Sequence, residues 1–317
     1  MSFQTVIDLL DLLDDGNVSG NSVAEYLCSF LAQSDIHVKR IFGDQPGSFT
    51  DFIQVRIAGK SGKTRGGTAP TLGIIGRLGG IGARPQRKGF VSDGDGALAA
   101  LAAAGKLLKM KVRGDDLMGD VLVATQICPN APTRPHDPVP FMSSCVSQYV
   151  KNHYELNPDM DAILSVDTTK GNRLINHRGF AISPTIKEGW ILPVASDLLN
   201  VIERTSGELP ATFPITHQDI TPYGNGLYHM NSIVQPAFGT TAPVVGVAIT
   251  TESSVPGCAT GATHVDDVDA VVRFMVEVAK EFTQGTLSFY DQREFDLLVQ
   301  RYGSLTVFQT AGLGHNG

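Results

Sequence analysis

Short apolar runs of strand length recur along this chain, and most lead into a segment with helical spacing. Val121–Ile127 and Ala162–Val166 have no polar alternation and read as buried strands, and Pro243–Thr250 is a Val-rich strand. Ile36–Phe42 and Ile53–Ala58 alternate like strands. Between and around them lie helices. Thr5–Leu13 carries apolar residues at helical spacing, and Ser22-Val-Ala-Glu25 resembles a capping box opening a helix through about Ala32. Ala97–Met110 is rich in Ala, Leu and Lys, and Ser196–Thr205 stops at Gly207. Val268, Val271, Val272, Met275, Ala279 and Phe282 mark one face of a long helix, and Asp291 caps a last one that Gly303 ends. This alternation predicts an α/β fold with a mixed, mostly parallel sheet and helices on both faces. No repeat, linker or composition break divides the chain. Residues 1–317 therefore read as one α/β domain, with 1–60 as its N-terminal helices and strands.

Charge narrows the partners. The 25 Lys and Arg against 32 Asp and Glu leave a net charge of −7, with no long basic run, so neither nucleic acid nor an anionic membrane surface is expected. The longest stretch without Asp, Glu, Lys or Arg, 220–251, is broken by Pro222, Gly224, Asn225 and Pro236 and does not read as a membrane span. The acidic, amphipathic start lacks the features of a signal peptide. Four cysteines without regular spacing suit a reducing compartment, and a cytoplasmic location is expected.

Five segments offer chemistry. The glycine run Gly73–Gly82 fits neither dinucleotide nor phosphate-loop spacing, so no nucleotide is expected; Arg77 and Arg84 beside it can hold a carboxylate. Asp93-Gly-Asp95-Gly96 opens the Ala97 helix, where an Asp can cap or a carboxylate pair can ligate a divalent cation. Asp167 ends an apolar strand, at the edge where open α/β sheets build sites, with Lys170 following; an Asx turn accounts for it equally. His136 and Asp137 sit in a loop with four prolines, rigid enough for binding or simply a solvated edge. His264 precedes the long helix as part of its cap region or as a metal ligand.

The phrases GGTAPTLGIIGRLGGIGARP, PHDPVPFM, SVDTTKGN, QDITPYGNG and APVVGVAI make the stretch Gly66–Gly285 resemble a bacterial family defined only as a domain of unknown function. More distantly, the chain is similar to the zinc exopeptidase clan of aminopeptidases, carboxypeptidases and acylases. That likeness rests on Asp93-Gly-Asp-Gly96 before ALAALAAAGKLL, on Ser-Val-Asp167-Thr, and on His264 before a late helix. It implies a three-layer sandwich, metal ligation by Asp93, Asp167 and His264, and self-association into a homo-oligomer. The departures are specific. Where the clan places His-x-Asp, this chain reads Arg77-Leu-Gly79, and its Glu-Glu pair is replaced by Gln126-Ile-Cys-Pro129.

Three expectations follow. The first is a hydrolase-like enzyme with one divalent metal, zinc or manganese, held by Asp93, Asp167 and His264. Its base would come from His136, Asp137 or Glu252, and Arg77, Arg84 and Lys170 would bind a small anionic amide or peptide-like substrate. The second is a metal-free enzyme in which Arg77 supplies the missing positive charge. The third is a non-catalytic binding or assembly protein.

Overall fold

The computed structural model describes residues 2–31, 35–43, 46–77, 89–135, 140–215, 232–258 and 260–309. Its strands are β1 (Asp35–Phe42), β2 (Phe49–Ile57), β3 (Leu72–Gly76), β4 (Val121–Ile127), β5 (Thr133–Arg134), β6 (Phe141–Met142), β7 (Ala162–Thr169), β8 (Gly179–Ile182), β9 (Thr185–Lys187), β10 (Trp190–Leu192), β11 (Ala211–Thr212) and β12 (Val244–Thr250). Its helices are α1 (Phe3–Asp14), α2 (Gly20–Cys28), α3 (Asp95–Val112), α4 (Gln148–Glu155), α5 (Ser196–Ser206), α6 (Val265–Gln284) and α7 (Gln292–Tyr302). Ten strands join one mixed sheet with the main order β1-β2-β4-β3-β7-β12-β8-β11; β9 and β10 extend it beside β12, and β5 and β6 form a separate ribbon.

The centre of this sheet is parallel: β4, β3, β7 and β12 run the same way, flanked by antiparallel β2 on one side and β8 on the other. Those four strands are buried along nearly their whole length, which is why their sequences do not alternate. Alternate residues still divide between the faces. Ile74, Val123, Leu164 and Val247 enter a core shared with α1, α2, α3, α5 and α6. Their neighbours Ile75, Leu122, Ile163 and Ala248 enter a second, smaller core with Phe213 and the 3-10 turn Ser232–Phe238. The expected mixed sheet with helices on both faces is what forms, with far more helix on one face, but it is not mostly parallel. Only the central strands and the β8–β11 pair run parallel, and the pairings towards both edges are otherwise antiparallel.

Helix α3 shows why the layering works. Every residue from Asp95 to Gly105 is buried, because the helix lies between the sheet and helices α1 and α6. Alanine suits that position: it has high helix propensity and lets two neighbours approach closely. Gly96 is required by one such approach, since a Cβ there would stand 2.5 Å from the Val166 carbonyl oxygen.

Some expectations shift. The capping box of α2 is Ser19 with Ser22, one turn earlier than Ser22 with Glu25, and the helix ends at Cys28 rather than near Ala32. A serine at both positions satisfies the same two backbone donors that a Ser–Glu pair would. Strand β7 runs through Asp167 to Thr169 instead of stopping before it. The short strands β8 to β11 were not legible in sequence.

Candidate active site

The connection after β3 runs through α3 to β4, whereas the chain after β7 goes on to reach β12 on the other side. Adjacent strands whose connections part in this way open a crevice at their carboxyl ends. Arg77 leaves β3 there, its N–H bonded to the Val166 carbonyl at 2.7 Å, and Asp167 stands beside it on β7. The start of α3 points its first acids to the same edge.

Four buried carboxylates and three buried cations meet at this place. Arg77 donates from Nη1 to Glu155 Oε2 at 2.5 Å and from Nη2 to Gln148 Oε1 at 2.8 Å. Lys170 Nζ donates to Asp95 Oδ2 at 3.1 Å, and Thr263 Oγ1 donates to Asp95 Oδ1 at 2.7 Å. Asp93 accepts the Met142 N–H at 2.7 Å and Asp167 accepts the Thr168 N–H at 2.7 Å. Lys151, on α4, is buried, and its ammonium meets no hydrogen-bond or ion-pair partner among the described residues.

Burial dominates the electrostatics. It pushes Asp93 up to about 7, reinforced by the charges of Asp167 and Asp95 and opposed by the Met142 N–H and by Lys170. Asp95 and Asp167 each rise to about 6 for the same reason, the first restrained chiefly by Lys170 and the second by the Thr168 N–H and Arg77. Burial, helped by the Arg77 charge, pulls Lys151 down to about 7, and burial raises Glu155. Counted formally, four carboxyls face three basic side chains, so the cluster favours keeping a proton on one of its carboxyls.

Neither Asp93 nor Asp95 caps a helix. The N-cap of α3 is Gly94, without a side-chain bond, so capping does not account for the Asp-Gly-Asp-Gly sequence. Asp93 is instead held against the 255–258 loop. Its N–H and the Ser92 hydroxyl both donate to the Gly257 carbonyl, at 2.8 and 2.9 Å, and a Cβ on Gly257 would fall 1.9 Å from Asp93 Oδ1.

Of the residues singled out in sequence, Asp93, Asp167, Arg77 and Lys170 come together. His264 and Glu252 line a cleft of about 580 Å³ with Arg178 and Asp266 at the start of α6, next to the cluster, since Thr263, the donor to Asp95, lines it too. His264 is half-exposed and is the N-cap residue of α6; its Nδ1 lies 3.3 Å from Asp267 Oδ2, too poorly aligned to be a hydrogen bond. Arg84, His136 and Asp137 lie outside the described residues. Among the described residues no three His, Cys, Asp or Glu side chains are gathered to hold a metal ion, so Asp93, Asp167 and His264 do not form a donor set. Asp93 and Asp167 each accept one backbone N–H instead, and the histidine turns to its own helix.

Lys151, Glu155 and Gln148 were missed. They share the inner face of the eight-residue α4, at spacings of three and four, together with buried Asn152. This short helix has no apolar stripe, so its spelling alone does not separate a buried polar face from a solvated one.

A family model described as a protein of unknown function (DUF1177) matches residues 42–312. The chain belongs to that family. The DUF1177 match spans β3, β4, α3, α4 and β7, and with them every residue of the buried cluster, whereas α1 and α2 precede it. Comparison with curated proteins finds no match. No helix among the described residues is long and apolar enough to cross a membrane.

Proposed function

We propose that this protein is a hydrolase-like enzyme for a small amide or peptide-like substrate, built on an exopeptidase-like scaffold, in which buried cationic side chains supply the charge that metals supply in that clan. The observation that carries this reading is the interleaving of Asp93, Asp95, Asp167 and Glu155 with Arg77, Lys151 and Lys170 at the switch point of the sheet. Buried charge costs stability unless it is paired, and a cluster of this size at a sheet's carboxyl edge is where chemistry is built.

The chemistry assigned to the residues is simple. Asp93 titrates near neutrality, and its ionised form takes a proton from a water molecule as the water oxygen attacks the amide carbon. The carbon–oxygen bond forms, negative charge collects on the former carbonyl oxygen, and the carbon–nitrogen bond breaks as Asp93 returns the proton to the leaving nitrogen. Lys151 has donors to spare for that oxygen or for a substrate carboxylate. Arg77 is engaged by Glu155 and Gln148. The anion-binding task read for Arg77 in sequence is therefore better suited to Lys151, with Arg77 holding α4 and its lysine in place.

The test is a turnover screen with small N-acyl amino acids, amides and dipeptides in chelator-containing buffer, on wild type, Asp93→Asn and Lys151→Met. The expected result is turnover that survives chelation and falls at least about 100-fold in Asp93→Asn, the usual scale for removing a proton-transfer group. Turnover abolished by chelation and restored by zinc or manganese would return the metal reading and reject this one.

A further inference from the structure

A pair of thiols stands where the strand edge meets the helix that carries Lys151 and Glu155. Cys128 directly follows β4 and is buried; Cys145 lies in the turn before α4, three residues ahead of Gln148. The two sulfurs are 3.7 Å apart. They belong to a small apolar cluster with Val91, Ala131 and Met142, whose N–H holds Asp93. The Cys145 turn is tied to the end of β4 a second time, by Ser144 Oγ donating to Gln126 Oε1 at 3.0 Å.

The other two cysteines differ. Cys258 touches the same cluster, but its sulfur is directed at the Pro140 carbonyl, 4.0 Å away. Cys28 is on α2. A disulfide has its sulfurs about 2 Å apart, so the Cys128–Cys145 pair needs a closure of less than about 2 Å. Cys145 is partly accessible and Cys128 is not, so Cys145 is the sulfur an oxidant meets first.

We propose that Cys128 and Cys145, 3.7 Å apart at the root of α4, are an oxidation site at which peroxide or a small-molecule disulfide closes a bond tying α4 to the carboxyl end of β4. With hydrogen peroxide, the Cys145 thiolate attacks one oxygen, the oxygen–oxygen bond breaks, and a sulfenic acid and hydroxide result; the hydroxide takes up the thiol proton as water. The Cys128 sulfur then displaces the sulfenic oxygen, which leaves as water with the second thiol proton. Two electrons pass from the sulfurs to peroxide, and a thiol reductant reverses the change. The inference does not depend on the amide reading, since it rests on the sulfur geometry alone.

The test uses the full chain, folded, treated with hydrogen peroxide or oxidised glutathione, then alkylated and digested without reduction. The expected product is a peptide joining Cys128 to Cys145, lighter than its two parts by two hydrogen atoms, removed by dithiothreitol and absent in Cys145→Ser. Amide hydrogen exchange over residues 148–155 is expected to slow several-fold in the oxidised wild type and to stay unchanged in treated Cys145→Ser. Linkage through Cys28 or Cys258 instead, a sulfinic acid at Cys145 without linkage, or no loss of thiols overturns the proposal. A Cys128–Cys145 peptide with unchanged exchange over 148–155 overturns the tethering of α4.

Discussion

Asp93 and Asp120 are both buried aspartates, at opposite edges of the same parallel strands, and they behave in opposite ways. Asp120, just before β4, accepts the Gly59 N–H, the Thr64 N–H and the Thr64 hydroxyl, each at 2.8 Å. Those donors outweigh the penalty of burial and hold its carboxyl below the usual range. Asp93 accepts one N–H and faces two other carboxylates, and burial pushes it to about 7. Burial alone therefore does not decide the state of an acid. The number of donors aimed at it does. The amino edge is built to hold a charge, and the carboxyl edge to hold a proton that can leave.

The largest effect should come from breaking a fully buried ion pair at the carboxyl edge. Arg77→Met removes the ion-pair partner of buried Glu155, and should lower unfolding free energy by about 3–5 kcal/mol in urea titration. Adding Glu155→Met should recover most of that loss. If the single variant costs less than about 1 kcal/mol, the pair is not what anchors α4 at this edge.

Next comes the direct contrast. Asp120→Ala strands three buried or half-buried donors and should cost about 3 kcal/mol, whereas Asp93→Asn at neutral pH should cost less than about 1 kcal/mol. A costlier Asp93→Asn would reverse the comparison.

The pH dependence sharpens it. Folded Asp93 keeps its proton to about 7 while the unfolded carboxyl loses it near 3.8, so folding takes up a proton between those values. Its contribution is fully present below 3.8 and is lost as pH rises towards 7. Asp93→Asn should therefore gain on wild type by about 3.5 kcal/mol between pH 4 and 7.5. For Asp120, held low, the sign is the reverse: its contribution is present above 3.8 and fades as pH falls. Asp120→Asn should thus become less costly in acid.

The smallest effect concerns packing. Gly257→Ala must move Asp93 or the 255–258 loop, because the new methyl group would stand 1.9 Å from Oδ1, and should cost about 1–2 kcal/mol. Gly261→Ala, with no atom within 4 Å of its added Cβ, should change thermal stability by less than about 0.5 kcal/mol.

Much of this architecture was legible in the sequence because burial on two faces leaves a plain trace. Val121–Ile127 is apolar except for Thr125 and Gln126, and Ala97–Met110 shows the composition of a helix packed on several sides. Asp93 and Asp167 were legible as a pair of edge acids because glycines and a strand end set them apart. Lys151 and Glu155 were not, since on a short helix without an apolar stripe a buried polar face and a solvated one have the same spelling. The capping box moved by one turn because serine can fill either of its positions. Strands β9 to β11 are two or three residues long, too short for any period to register.

The most direct measurement is a carbon-13 NMR titration of aspartate-labelled protein, wild type against Asp93→Asn and Asp120→Asn. The account predicts one carboxyl titrating near 7 that vanishes in Asp93→Asn, and one titrating below the usual range that vanishes in Asp120→Asn. Carboxyls that all titrate in the ordinary range would contradict it, because the carboxyl edge would then hold no proton to give.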